Sequence, residues 1–339
     1  MTVTVNMNIL ITYSLAILVL IHSYKFRGLF KSLLLFFGAV IIGGGVENAN
    51  AIFGGYHYPG SELTLFLGLC PFDVVLGWFV ILYCCSYMSH LLIGHAEGSL
   101  SSQGIGTNPE NGIDINFVKV TFYRALLAGL LAVNLDMTID PVAVENEWWI
   151  WQIHNIYIQG VPLGNYLGWW LLISSSAFFY DLIIAYGSIK HQEPYKTAAL
   201  WCGGTISACL ITGGILSQLT VLFGLPGIRT EGMGTHPLDA SITPERIMPL
   251  IFTLIIIFIA MGFIMVSSKI PSKYNEVEPP NALMWKMLPP LIMIIFWAMV
   301  LVVAFLTGPI FVIIGLTQGI PIVLVSLYIM YIIHRKEEF

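Results

Sequence analysis

The chain has 339 residues, 57% of them hydrophobic and 10% charged, with a net charge of −5 and a mean hydropathy of +0.83. A soluble domain carries about 25% charged residues, and apolar runs of about 20 residues recur along this one, so a soluble fold is excluded. The runs do not alternate, which excludes a β-barrel; the expected fold is all-α, a polytopic transmembrane helix bundle forming a single integral membrane domain over 1–339.

Nine apolar segments follow one another at 8–24, 29–49, 72–94, 116–135, 164–188, 197–224, 247–268, 287–307 and 309–333. Thr307-Gly308-Pro309 marks a tight turn between the last two. Pro289 and Pro290 can shorten the eighth, which leaves eight to nine spans. The first 24 residues hold no Lys or Arg, so the basic region of a cleavable signal is missing. Nine spans place Lys25, Arg27, Lys31, Lys119, Arg124, Lys190, Lys196, Lys269, Lys273, Lys286, Arg335 and Lys336 on one side, and only Arg229 and Arg246 on the other. The positive-inside rule then predicts a multi-pass protein of the cell membrane with its N-terminus outside and its C-terminus cytoplasmic.

Two loops fall on the outer side. The first, after Asn50, carries Tyr56, His57 and Tyr58 and no basic residue. The second, Asn134 to Trp170, holds Asp136, Asp140, Glu145 and Glu147, five tryptophans (Trp148, Trp149, Trp151, Trp169, Trp170), and no Lys or Arg. The frame P-x4-LGW-aromatic occurs at Pro71–Phe79 and again at Pro162–Trp170. Two readings fit it: a parallel repeat within a motif-bearing core over 43–172, its outer loops facing each other, or aromatic helix starts at a membrane interface that merely look alike. The linker His95–Asn116 reads as a flexible cytoplasmic loop. The loop Gly227–Arg246 reads as a connector, with a lid as the alternative.

Asp136 and Asp140 are four apart and share a helical face. Pro141 predicts that the helix stops at Asp140 and aims it into the outer vestibule. Two close carboxylates in a poorly solvated place cannot both ionise cheaply, so one keeps a proton, as protonation of an alkene requires. The plainer role for such a pair is to touch interfacial water or cap backbone. Glu47 follows Gly43-Gly44-Gly45-Val46 within a span; a carboxylate at that depth is a functional candidate, and the glycines let another helix or a ligand come close. Its structural alternative is an ion pair with Arg124, which lies nearer the cytoplasmic end of its span. The tryptophans fit an interfacial belt and fit equally an aromatic lining that stabilises a carbocation. Asp181 reads as a helix-partner acid, and Asp73 as a first-turn residue suited to the helix dipole.

Absences narrow the chemistry. The eight histidines form no HxxxH or HxxHH cluster, and the five cysteines form no CxxC pair. Neither GxGxxG after a strand nor GxxxxGK[ST] occurs. An enzyme built on this chain is therefore expected to work by acid–base means, with no metal, no cofactor and no nucleic acid.

The segments Glu47…Phe53-Gly54-Gly55-Tyr56-His57-Tyr58 and Asp136-x3-Asp140-Pro141…Trp149-x-Trp151…Gly160-Val161-Pro162-x2-Asn165-x2-Gly168-Trp169 resemble the membrane carotenoid biosynthesis proteins of the carotenoid 1,2-hydratase type. The resemblance implies cofactor-free addition of water to the terminal isopropylidene C=C of an acyclic carotenoid or related long isoprenoid taken from the lipid bilayer. On that reading Asp140 is the proton donor, Asp136 its partner, and Glu47 the group that positions or deprotonates the water. Tyr56, Tyr58, Trp149, Trp151 and Trp169 line the substrate pocket, and Asn165 hydrogen-bonds a carboxylate or the product hydroxyl. The competing functions are an intramembrane isoprenoid cyclase using the same acid, a hydratase of lipid isoprenoid chains, and a transporter or binding protein without chemistry.

Overall fold

The computed structural model describes residues 2–52, 55–93, 107–108, 112–113, 115–151, 157–190 and 282–337, with scattered positions between 196 and 211. Much of the sixth apolar segment, all of the seventh and the loop Gly227–Arg246 lie outside the described residues, as does most of the linker His95–Asn116.

Among the described residues seven helical stretches are long and apolar enough to cross a membrane. Helix α1, Thr2–Ile52, contains two of them and bends at Gly28, whose φ of 75° suits a residue without a Cβ. The others are α2 (Phe72–Ile93), α3 (Ile115–Glu145), α4 (Leu163–Lys190), α5 (Ala282–Thr307) and α6 (Pro309–Glu337). The protein is a polytopic transmembrane helix bundle. Helix α1 packs on α2, α3 on α4 and α5 on α6, while α3 also meets α2, α5 and α6. Helices α2 and α3 are consequently the most buried.

Two-residue strands clip the connections together: β1 (Tyr56–His57), β2 (Phe66–Leu67), β3 (Cys70–Pro71), β4 (Thr107–Asn108), β5 (Gly112–Ile113), β6 (Ile150–Trp151), β7 (Tyr157–Ile158) and β8 (Val161–Pro162). Strands β2 and β3 form a hairpin with Phe66 opposite Pro71; β7 and β8 form another with Tyr157 opposite Pro162. Each hairpin therefore ends on the proline of a P-x4-LGW frame, and a helix starts at the next residue. Strand β1 pairs antiparallel with β6, setting Tyr56 opposite Trp151 and joining the two loops that sequence had singled out.

Pro141 behaves differently from expectation, and of the two readings for Pro289 and Pro290 the full span holds. Helix α3 does not stop at Asp140; it runs through Pro141 to Glu145. An interior proline costs about 3 kcal/mol, but Val142 and Ala143 beyond it are fully buried, and one such Val alone returns about 1.5–3 kcal/mol. The helix then closes with Trp148 N–H on Ala143 C=O and Glu147 N–H on Val144 C=O, with Glu147 at φ 54°. This is a Schellman ending on a residue other than glycine. Nor do Pro289 and Pro290 shorten α5, which begins at Ala282. Pro289 has no N–H to give the carbonyl of Trp285 one turn back, and His22 Nε2 takes that carbonyl instead at 2.8 Å.

Gly43 makes the α1–α2 contact possible. A Cβ there would sit 2.6 Å from Cγ of Trp78, so the indole lies directly on the α1 backbone. Toward the other end of the bundle, His90 of α2 meets Asp181 of α4 at 2.7 Å, as a helix-partner acid should.

Candidate active site

Glu47, Asp136 and Asp140 are buried at the end of the bundle that carries β1–β3 and β6–β8, 6%, 0% and 2% exposed. Glu47 comes from the last turns of α1 and the two aspartates from α3. The two helices end alike: Gly55 N–H returns to Asn50 C=O and Trp148 N–H to Ala143 C=O. Glu47 and Asp140 each stand three residues before the carbonyl so used, and thus hold matching places in their helix ends.

Glu47 is an acceptor for three donors. Trp78 Nε1–H gives a 2.7 Å bond to Oε1, Tyr58 O–H gives a 2.7 Å bond to Oε2, and Tyr56 O–H also donates to Oε2. Arg124 is not its partner; electrostatically that guanidinium acts on the His90–Asp181 pair. A carboxylate has about four lone-pair sites, so one remains open. Burial pushes the Tyr56 and Tyr58 hydroxyls well above the ordinary phenol range, and the charge of Glu47 adds to it. Both therefore stay protonated and keep donating.

On the facing wall, Asp136 and Asp140 stand one helical turn apart on α3, and Asp136 Oδ1 is buried without a hydrogen-bond partner. Asn165, in the first turn of α4, donates its amide to Asp136 Oδ2 at 3.0 Å and to Asp140 Oδ2. Because α3 continues past Pro141, Asp140 is enclosed one turn below the helix end instead of hanging into an open vestibule.

Between the walls is a cavity of about 40 Å³ lined by Glu47, Tyr56, Tyr58, Val74, Asp140, Trp149, Trp151, Asn165 and Trp169. These are the residues singled out from sequence, with Val74 added and Asp136 set behind Asp140. Trp151 stands edge-on to Tyr56 at 4.8 Å and 80°, and Tyr58 edge-on to Trp149 at 6.3 Å and 73°. Trp148 is not in the wall: it is buried, with Nε1–H toward Thr4 Oγ1.

Sequence reasoning missed the role of Trp78. Its ring stacks on Trp169 at 4.2 Å and 24° while its N–H holds Glu47. The signal was present, because Trp78 and Trp169 occupy the same position of the two P-x4-LGW frames. A larger apolar cavity of about 450 Å³ lies along the α3–α4 seam, with Phe122, Leu126, Trp170, Ser174 and Phe178 among its walls. Among the described residues no group of three His, Cys, Asp or Glu side chains could hold a metal ion.

Two neighbouring buried acids facing a buried carboxylate with three donors and one open acceptor site across an aromatic cavity form a set that can give a proton to a weak base, shelter the cation formed and take a proton back. A family model described as carotenoid biosynthesis protein matches residues 6–225, a stretch that contains every wall of the cavity. No curated protein and no solved structure matches the chain.

Proposed function

The chain belongs to the carotenoid biosynthesis protein family and serves carotenoid biosynthesis in a membrane; from that premise we propose that it is a cofactor-free hydratase. Its substrate is the terminal isopropylidene C=C of an acyclic carotenoid or related long isoprenoid. The observation that carries this reading is the pairing of an Asn165-bridged Asp136–Asp140 wall with a three-donor Glu47 wall across one small aromatic cavity.

Asp140 gives its proton to the less substituted alkene carbon, leaving a tertiary cation. Trp149, Trp151, Trp169 and Tyr56 face that cation, each ring contributing about 0.5–2 kcal/mol of cation–π attraction, and the Glu47 carboxylate adds its charge. Water attacks the cationic carbon and passes a proton to the open lone pair of Glu47. Return of that proton to the aspartate pair completes the addition of one water and gives a tertiary alcohol. Asn165 holds both aspartates in register, and Asp136 keeps the donor proton available. The two walls derive from a repeated unit, as the matched helix ends and hairpins suggest. The positive-inside count supports a reading with the site end outside and the C-terminus in the cytoplasm of a cell-membrane protein.

The test is mass spectrometry of lipid extracts from a host that accumulates acyclic carotenoids, with and without this chain. A product heavier by one water, abolished by Asp140→Asn, is expected. A new isomer of unchanged mass would make the protein a cyclase, and no new product would remove the enzymatic reading.

A further inference from the structure

Indole N–H groups buried in this protein have acceptors. Trp78 donates to Glu47 at 2.7 Å, Trp201 to Ser176 C=O at 3.0 Å and Trp297 to Gly315 C=O at 2.9 Å. The exceptions are Trp151 and Trp170, whose Nε1 atoms are buried without a partner. Trp170 lies in the apolar α3–α4 cavity, away from the acids. Trp151 lines the acid cavity itself. A buried donor left unpaired is unfavourable in a folded protein, and a donor orphaned beside catalytic acids points to a partner that arrives with the reaction.

We propose that the Trp151 N–H is the binding site for the water that is added, and afterwards for the hydroxyl of the product. This rests on the hydratase reading above. A bound water needs polar partners and about 10–15 Å³ of space. The cavity has about 40 Å³. The hydroxyl and amide donors of its wall are already committed: Tyr56 and Tyr58 donate to Glu47, and Asn165 donates to Asp136 and Asp140. Trp151 brings a donor to the water oxygen, and the open lone pair of Glu47 accepts one water hydrogen. The remaining lone pair of the oxygen is then free to attack the cation. The position is rigid because Trp151 is held twice, by backbone pairing to Tyr56 and by the edge-on contact of the two rings. Trp151 thus serves both steps, its ring facing the cation and its N–H the nucleophile.

Protonation and water capture are separable in D2O. An alkene that is protonated but not captured returns a proton to Asp140 and is recovered with deuterium in its terminal C=C unit. Trp151→Phe keeps an aromatic face and lacks the N–H. It is expected to lower hydration by about two- to tenfold, the effect of losing one hydrogen bond in the transition state, while the recovered substrate gains deuterium. Replacing Trp151 by the isosteric benzothienylalanine, which has sulfur in place of N–H, should do the same with the shape preserved. Hydration at the wild-type rate in the benzothienyl variant would overturn the proposal, and so would equal loss of hydration and exchange in it. A wild-type protein that neither hydrates nor exchanges would instead sink the hydratase reading.

Discussion

Glu47→Gln separates what the carboxylate does for the fold from what it does for the reaction. An indole N–H can only donate, so the new amide must turn its oxygen toward Trp78 and its NH2 toward Tyr56 and Tyr58, whose hydroxyls rotate to accept. All three contacts of Glu47 survive in kind, but each falls from the charge-assisted range of about 1.5–3 kcal/mol to about 0.5–1.5 kcal/mol. The sum is a loss of roughly 3–4 kcal/mol. Against it stands the relief of no longer burying a charge, which is also several kcal/mol. The two terms oppose each other at similar size, so the thermal midpoint should move by only a few degrees, at about 2–4 °C per kcal/mol. Activity has no such compensation. Removing the group that takes the water proton should lower turnover by about 10²–10⁴-fold. The assay is hydrated product by mass spectrometry from solubilised protein, with unfolding followed by tryptophan fluorescence on the same preparation. Turnover within threefold of wild type would refute the role given to Glu47. A collapse of the midpoint by tens of degrees would refute the compensation and make Glu47 a structural acid.

Gly43→Ala puts a methyl group 2.6 Å from Trp78 Cγ, at the root of the side chain where it cannot swing aside; overpacking of about 1–3 kcal/mol should lower the thermal midpoint and loosen Trp78 from Glu47, reducing activity. A midpoint unchanged from wild type would show that α1 and α2 do not approach this closely. Burial pushes the Cys70 thiol upward and the nearby Glu47 charge adds to it. Iodoacetamide at pH 8 should therefore leave Cys70 unmodified in the folded protein and modify it after denaturation in detergent, as read by peptide mapping. Modification at equal rates in both states would contradict the enclosed setting of the acid cavity.

The spans were legible because their cause is local: a run of about 20 apolar residues needs no partner to be recognised. The acids were legible for the opposite reason, since Glu47, Asp136 and Asp140 stand out against an apolar background where charge is expensive. What sequence misjudged was the end of α3. Pro141 speaks for a stop by a local rule, and burial of Val142 and Ala143 against the rest of the bundle, a tertiary term, overrides it. Trp78 was overlooked for a related reason: within an apolar helix it looks like any interfacial indole, and its function appears only when Gly43, Glu47 and Trp169 are brought around it. The freed carbonyl of Trp285 found its partner in His22, far away in the chain, which no local pattern could announce.

The clip between β1 and β6 has a consequence for how the reactants meet. Tyr56 and Trp151 cannot part without breaking main-chain pairing between two loops, so the roof over the acids moves as one piece or stays shut. On the proposed function, a polyene tens of ångströms long could not be threaded through such a roof and would reach the acids sideways, between helices, from the lipid. The water of that reaction would come from the loop side. On the proposed hydration, the two reactants would arrive from different phases through different doors, and the rate would depend on two concentrations that the membrane keeps apart. Lipid composition and water activity would become independent controls on a single chemical step.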